Sequence, residues 1–97
     1  MDKNKLRYIK NILQKEGFII DGIVGSYARD ENYNDIDILY HLEENFLKKY
    51  SGFEGFIKLE EIKTKLENLL NEKVDIIDKT TLNKIGKKYI LRDIKYV

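Results

Sequence analysis

Apolar residues recur at helical spacing in two stretches of the chain. In residues 2–16 they fall on one side and lysines mostly on the other, and Gly17 follows where a left-handed cap would end a helix. In residues 56–72 isoleucines and leucines repeat in the same way, with Glu and Lys on the solvent side. The spacing predicts two amphipathic helices, the second preceded by a polar linker over residues 51–55.

Three other stretches have the patterning of strands. Residues 18–24 are rich in β-branched and aromatic side chains and stop at Gly25-Ser26, which predicts a buried strand ending in a tight turn. In residues 35–42 alternate side chains share a face. Residues 74–77 form a third, short apolar strand.

Weaker signals predict four further elements: helices at 27–29, 45–50 and 82–91 and a short strand at 94–97. Thr80 or Thr81 is expected to cap the helix at 82–91. Helices and strands then alternate along the chain. This order predicts an α+β fold in which a small mixed sheet packs against helices. At 97 residues, we expect a single domain over 1–97.

The composition of the chain excludes several classes of function. Lys plus Arg is 18 against 17 for Asp plus Glu, so the net charge of +1 gives no field to attract nucleic acid or an anionic membrane. No cysteine is present, which excludes disulfides, zinc–thiolate sites and thiol nucleophiles. The longest apolar run is residues 18–20, which predicts neither a membrane span nor a signal peptide, and we expect a cytoplasmic protein.

An acidic pair and a glycine turn carry the candidate chemistry. Asp35 and Asp37 are two positions apart on a strand and therefore project from one face. Mg²⁺ prefers such hard oxygen ligands and leaves other positions for substrate phosphate. The Gly25-Ser26 turn lets backbone approach a phosphate closely, and its amides and hydroxyl are donors.

Asp75 supplies a third carboxylate on a separate apolar strand. We expect it to be buried, which is costly for an acid without a partner, and to repel Asp35 and Asp37 unless a cation intervenes. Three carboxylates around two metal ions can activate a hydroxyl and stabilise in-line displacement at phosphorus. The set predicts a phosphoryl or nucleotidyl transfer site, for which Asp78, after the strand, is less suited.

Each piece also has an ordinary structural explanation. The turn alone fits a strand end, and the acid pair alone fits a solvated sheet edge. Arg29 either reaches phosphate oxygens or forms a surface ion pair with Asp30 or Glu31, and both remain open. The single histidine, His41, is expected to be half-buried with a backbone partner and receives no catalytic role.

The aromatic residues suggest contacts with a base or a partner. Tyr27, Tyr33 and Tyr50 are expected near the mouth of the site, where a ring can stack on adenine or contact another protein. Residues 89–91 are expected to lie in the core or on a docking surface.

In this order the motifs resemble those of the minimal nucleotidyltransferases of the DNA polymerase β-like superfamily, and more closely the antitoxins paired with HEPN-domain ribonuclease toxins. The resemblance covers almost the whole chain. Its motifs lie at residues 25–29, 35–39, 74–78 and 89–93. The ordered set is specific, whereas each motif alone is weak.

The resemblance implies a polymerase β-like fold and a role for each motif. Gly25 and Ser26 match the turn that holds nucleotide phosphates, Asp35 and Asp37 match the metal pair, and Asp75 matches the third acid. It further implies two Mg²⁺ ions and transfer of AMP from ATP to a tyrosine of a cognate HEPN toxin, whose RNA cleavage is then blocked.

Three departures from the family pattern support other functions. Eight residues, 27–34, separate the turn from the acid pair, a tighter loop than usual; Asn34 replaces a common serine; and Asp30 replaces a frequent glycine, which predicts a different backbone conformation there. The alternatives are an antitoxin that acts by binding alone and a nucleotidyltransferase for a small hydroxylated molecule. The short chain disfavours the second.

Overall fold

The structure, a computed structural model, describes residues Met1–Val97. The helices are α1 (Lys3–Lys15), α2 (Gly25–Ala28), α3 (Glu44–Lys49), α4 (Phe53–Leu70) and α5 (Lys84–Arg92). The strands are β1 (Phe18–Val24), β2 (Ile36–Leu42) and β3 (Val74–Asp78), and a 3₁₀ turn at Lys79–Thr81 follows β3. No helix has both the length and the apolar character needed to cross a membrane.

The three strands form one sheet with β2 in the middle. β1 pairs with β2 antiparallel and β3 pairs with β2 parallel, which confirms the predicted mixed sheet. A parallel pair cannot be joined by a tight turn, and the chain between β2 and β3 supplies α3 and α4 as the crossover.

The core lies between one face of this sheet and the helices α1 and α4. Its apolar side chains come from alternate strand positions and from the inward stripes of the two helices. The buried cluster consists of Leu6, Ile9, Leu13, Phe18, Ile20, Ile23, Ile36, Ile38, Tyr40, Phe46, Ile62, Leu66, Leu70 and Val74.

The second face of the sheet is partly covered by the C-terminal residues. A Cβ on Gly22 would collide with the Ile94 side chain and with the Lys95 carbonyl oxygen, so the C-terminal segment lies directly on β1. Leu39 on β2 is fully buried on this side. The remainder of the second face holds the candidate site.

The N-terminal elements match their predictions closely. The predicted strand at 18–24 is β1, and the predicted helix is α1, capped by the Asp2 carboxylate, which accepts from the Asn4 and Lys5 amides. Gly17 has a φ of +86°, the left-handed conformation expected after the helix.

Later boundaries differ from the predictions. α4 begins at Phe53, so the predicted linker is helical from that residue onward. Asn83, not Thr80 or Thr81, caps α5, through its Oδ1 and the Gly86 amide at 2.7 Å. Asp78 caps the 3₁₀ turn that contains the threonines.

The predicted last strand is also wrong. Only one β-bridge forms there, between Ile23 and Lys95. The backbone amide of each residue donates to the carbonyl oxygen of the other at 2.8 Å. Isolated pairing of this kind ties the C-terminal segment to β1 without extending the sheet.

Two isoleucines on α4 test the position of the core. Ile62 is 1% exposed and Ile57 is 55% exposed. We expect Ile62→Ala to lower the free energy of unfolding by about 2–5 kcal/mol, because it leaves a cavity. The control Ile57→Ala should change it by no more than about 0.5 kcal/mol in urea unfolding. Equal losses would contradict this helix orientation.

Tyr40 predicts an alkaline loss of stability. Burial and, to a smaller degree, the charge of Asp78 raise the pKa of Tyr40 from its usual 10 to about 12. The unfolded chain ionises first as pH rises, so up to about 3 kcal/mol of stability is lost between about pH 10 and pH 12.

We expect Tyr40→Phe to lack this part of the loss, because it has no phenol to ionise. The measurement is urea unfolding of both proteins at about pH 9 and about pH 12. Lysine deprotonation affects both proteins alike, so an identical loss in the variant would show that Tyr40 does not cause it.

Candidate active site

The strand register places acidic residues in one row across the sheet. Val24 on β1 pairs with Asp37 on β2, and Asp37 pairs with Asp75 on β3. Directly paired residues project to the same face, so the two carboxylates lie side by side. Asp35 precedes β2, which begins at Ile36, so the strand predicted from residue 35 starts one residue later. The charge of Asp35 nevertheless raises the pKa of Asp37, so Asp35 lies near that carboxylate. The register therefore sets Asp37 beside Asp75, and Asp35 adjoins the pair.

Gly25 brings the turn into contact with this row. It has a φ of +76°, and a Cβ built on it would collide with Asp37 Oδ2. Only a residue without a side chain both accepts this conformation easily and lets the carboxylate approach the backbone. Ser26 follows at the first turn of α2 and is half-buried.

Of the two interpretations left open for Arg29, the structure shows the surface ion pair, with Glu31. Its Nε donates to Glu31 Oε1 at 3.1 Å, which is a surface ion pair. It also lines the same cavity as Asp37, and its charge acts to lower the pKa of Asp37. Its positive charge is therefore available at the site.

Asp30 lies in the loop between the turn and the acid pair. It has a φ of +59°, in the left-handed region that favours glycine. The Asp30 carboxylate accepts from Lys95 Nζ at 2.6 Å, and this hydrogen bond with the lysine charge lowers the pKa of Asp30.

Electrostatic repulsion is concentrated on Asp37. Burial raises the pKa of this carboxyl, the charges of Asp75 and then Asp35 raise it further, and Arg29 opposes the rise. The three acids are thus near enough to disfavour one another's charge. A bound cation relieves this repulsion.

Asp75 is exposed, whereas the sequence predicted that it would be buried. Its side chain is 53% exposed, because β3 is an edge strand, and Lys63 Nζ of α4 lies 3.6 Å from Oδ1. The cost of burying an acid therefore gives no reason for a cation here. Its place beside Asp37 rests on the strand register alone.

The donor set nevertheless fits Mg²⁺ in its chemistry. No three carboxylate or histidine side chains converge as a preformed cage. Magnesium, however, takes only one or two protein carboxylates and completes its shell with water and phosphate oxygens. Asp37 and Asp75 supply hard oxygen ligands on one face with Asp35 close by, and a cation would offset the charges of Asp75 and Asp35 that, after burial, raise the pKa of Asp37.

A cavity of about 290 Å³ opens beside the row. Its walls are formed by Val24, Gly25, Arg29, Asp37, Ile77, Tyr89, Ile90, Arg92 and Asp93. Three predicted site residues, Gly25, Arg29 and Asp37, thus meet in one wall. Ser26, Asp35 and Asp75 adjoin this group in sequence or register but do not line the cavity.

The tyrosines at the cavity are not those predicted. Tyr27 packs edge-on against Tyr33 with ring centroids 5.0 Å apart, and Tyr50 packs on Phe46. None of these three lines the cavity, whereas Tyr89 does. Tyr89 is 63% exposed, which excludes the predicted core position for it.

His41 belongs to a separate ion cluster. Its Nδ1 lies 2.8 Å from Asp21 Oδ2, and Lys79 Nζ lies 3.5 Å from Asp21 Oδ1. The histidine is half-buried as expected, but its partner is a carboxylate and not backbone. It does not line the cavity.

Known proteins resemble the chain over nearly its whole length. The sequence profile of the nucleotidyltransferase domain matches residues 6–96. Protein adenylyltransferase MntA of Thermococcus cleftensis is 37% identical over 92 residues, covering 91% of this chain and 83% of that protein. MJ1217 of Methanocaldococcus jannaschii, provisionally named a protein adenylyltransferase, is 38% identical over 100 residues. The match covers 98% of this chain and 93% of that protein.

A solved structure shares the fold as well. It is provisionally described as a minimal nucleotidyltransferase and superposes with a TM-score of 0.68 at 25% identity. The match covers 100% of this chain and 97% of that one. The predicted fold is therefore confirmed.

The contact between Gly25 and Asp37 predicts coupled stability effects. Gly25→Ala adds a Cβ that meets Asp37 Oδ2 and places alanine at positive φ. In an Asp37→Ala background the clash is gone, and we expect only the backbone cost of about 1–2 kcal/mol. With Asp37 present the loss should be larger by about 1 kcal/mol or more. Urea unfolding of the four proteins measures this coupling, and additive losses would show that the contact is absent.

Proposed function

Because the chain belongs to the nucleotidyltransferase domain family, we propose that it transfers AMP from ATP to a tyrosine hydroxyl of a partner protein. The observation that carries the proposal is the placement of the Asp37 carboxylate against the Gly25 turn, in register with Asp75. Phosphate donors and metal ligands then lie within one site. The names of the two relatives support AMP as the transferred group and protein as the acceptor.

Each site residue has a role in this proposal. Gly25 and Ser26 hold nucleotide phosphates through backbone amides and the serine hydroxyl, and Arg29 offers its guanidinium to phosphate oxygens. Asp35, Asp37 and Asp75 hold two Mg²⁺ ions. When bound, such ions polarise the α-phosphate and stabilise the attacking and leaving oxygens of an in-line displacement.

The chain's own residues position the reacting groups. The Gly25 turn and the acidic row fix the α-phosphorus between the acceptor and the leaving group. The phenolic oxygen forms a bond to that phosphorus, the bond to the bridging oxygen breaks, and pyrophosphate leaves. The phenolic proton passes to solvent water.

The proposed acceptor is a cognate HEPN-domain ribonuclease toxin. This part of the proposal rests on the resemblance of the ordered motifs at residues 25–29, 35–39 and 74–78 to antitoxins of that pairing. Modification of its tyrosine would neutralise the toxin. No nucleic acid needs to contact this chain, in keeping with its net charge of +1.

One observation favours a second candidate, an antitoxin that acts by binding alone. Asp75 is paired with Lys63, and the acids do not converge as a preformed cage. A vestigial site would have this appearance. The two candidates differ in whether the partner gains mass.

Intact-mass spectrometry of the partner, incubated with ATP and Mg²⁺, tests the proposal. We expect the wild-type chain to add whole AMP units. Asp35→Asn/Asp37→Asn should fold but reduce the transfer rate by at least about 100-fold, because the metal ligands are lost. Asp75→Asn should also impair transfer.

Asp78→Asn is the matched control. Its carboxylate caps the 3₁₀ turn, a role that asparagine also fills, so transfer should stay near the wild-type rate. Wild-type rates in the Asp35→Asn/Asp37→Asn protein would refute the metal assignment. A stable complex with no mass gain from any variant would favour the binding antitoxin.

A further inference from the structure

The walls of the cavity differ in chemistry from one part to the next. Gly25, Arg29 and Asp37 make one part polar and charged. The part formed by α5 and β3 contains the apolar and aromatic side chains of Tyr89, Ile90 and Ile77, with the charged Arg92 and Asp93 beside them. A nucleotide has the same division, since its phosphates are charged and its base is flat and largely apolar. The polar wall is already assigned to phosphate and metal, which leaves the α5 wall for the nucleoside.

Packing does not explain the position of Tyr89. No residue of α5 is buried, and the Tyr89 side chain is 63% exposed although it lines a cavity. A large aromatic side chain that contributes little to the core is a candidate for ligand contact. Tyr89 is the one aromatic residue that lines the cavity together with Gly25, Arg29 and Asp37.

Arg92 contacts the Tyr89 ring. Its Cζ lies 5.6 Å from the centroid of the Tyr89 ring, a cation–π contact within one turn of α5. The guanidinium occupies one face of the ring and restricts its motion, so less side-chain freedom is lost when the other face is covered. The ring then presents one free face.

We propose that the free face of Tyr89 stacks on the base of the bound nucleotide. The inference rests on the proposed nucleotidyl transfer and adds the subsite for the base. Stacking on an aromatic ring accepts any base, because every base has a π-face. Tyr89 therefore supports the binding of nucleoside triphosphates in general and does not by itself select adenine.

Calorimetric titration with two probes separates the base from the phosphates. The probes are ATP and inorganic tripolyphosphate, each with Mg²⁺. In Tyr89→Ala we expect ATP affinity to fall roughly 5- to 150-fold, which is about 1–3 kcal/mol for one stacked base. Tripolyphosphate affinity should stay at the wild-type value, because that ligand has no base.

Two control variants sharpen the test. Tyr89→Phe keeps the ring and should bind ATP as the wild type does. Tyr8→Ala removes a tyrosine of equal exposure, 64%, on α1 away from the cavity, and should bind both probes normally. A loss in Tyr89→Phe would assign the contact to the hydroxyl and overturn the stacking inference.

The remaining outcomes are also distinguishable. Unchanged ATP affinity in Tyr89→Ala, or equal losses for both probes, would overturn the role of the ring while leaving the proposed function in place. Failure of the wild-type chain to bind ATP would instead refute the proposed function and the inference with it. Thermal unfolding of Tyr89→Ala should match the wild type, since the side chain is mostly exposed.

Discussion

The register between β2 and β3 is the constraint on which the candidate site depends. On the core face this register pairs Ile36 with Val74 and Ile38 with Ile76. Between these pairs, on the opposite face, it pairs Asp37 with Asp75. A slip of β3 by one residue would turn Asp75 toward the core and Val74 and Ile76 toward solvent. The hydrophobic pattern that forms the core therefore also aligns the carboxylates on the other face, and no interaction between the acids themselves is needed.

Alignment by the core has an electrostatic consequence. Burial raises the pKa of Asp37 most, and the charges of Asp75 and Asp35 raise it further, so the folding energy of the sheet maintains an arrangement in which these acids repel one another. Such a site is ready to accept a cation, because binding relieves repulsion that is already present. Lys63 beside Asp75 supplies part of that compensation from within the chain.

The sequence predicts those features that depend on local pattern, and it misses those that depend on which surface an element meets. α1 and β1 follow from spacing and from Gly17. Asp75 lies between apolar residues and was expected to be buried, but an edge strand leaves alternate side chains exposed. Tyr89 was not selected among seven tyrosines, although the motif at residues 89–93 begins with it, because its position depends on α5 meeting the cavity beside Gly25.

The parallel crossover also orders the assembly of the site in time. The turn and the acid pair occur in the first half of the chain, whereas β3 and α5 follow after the long α4. Synthesis from the N-terminus delivers them in that sequence, and pairing of β3 with β2 must close a long loop. A nascent chain that has completed α4 has neither the third acid nor the aromatic wall. An unfinished product of translation therefore lacks the complete cavity.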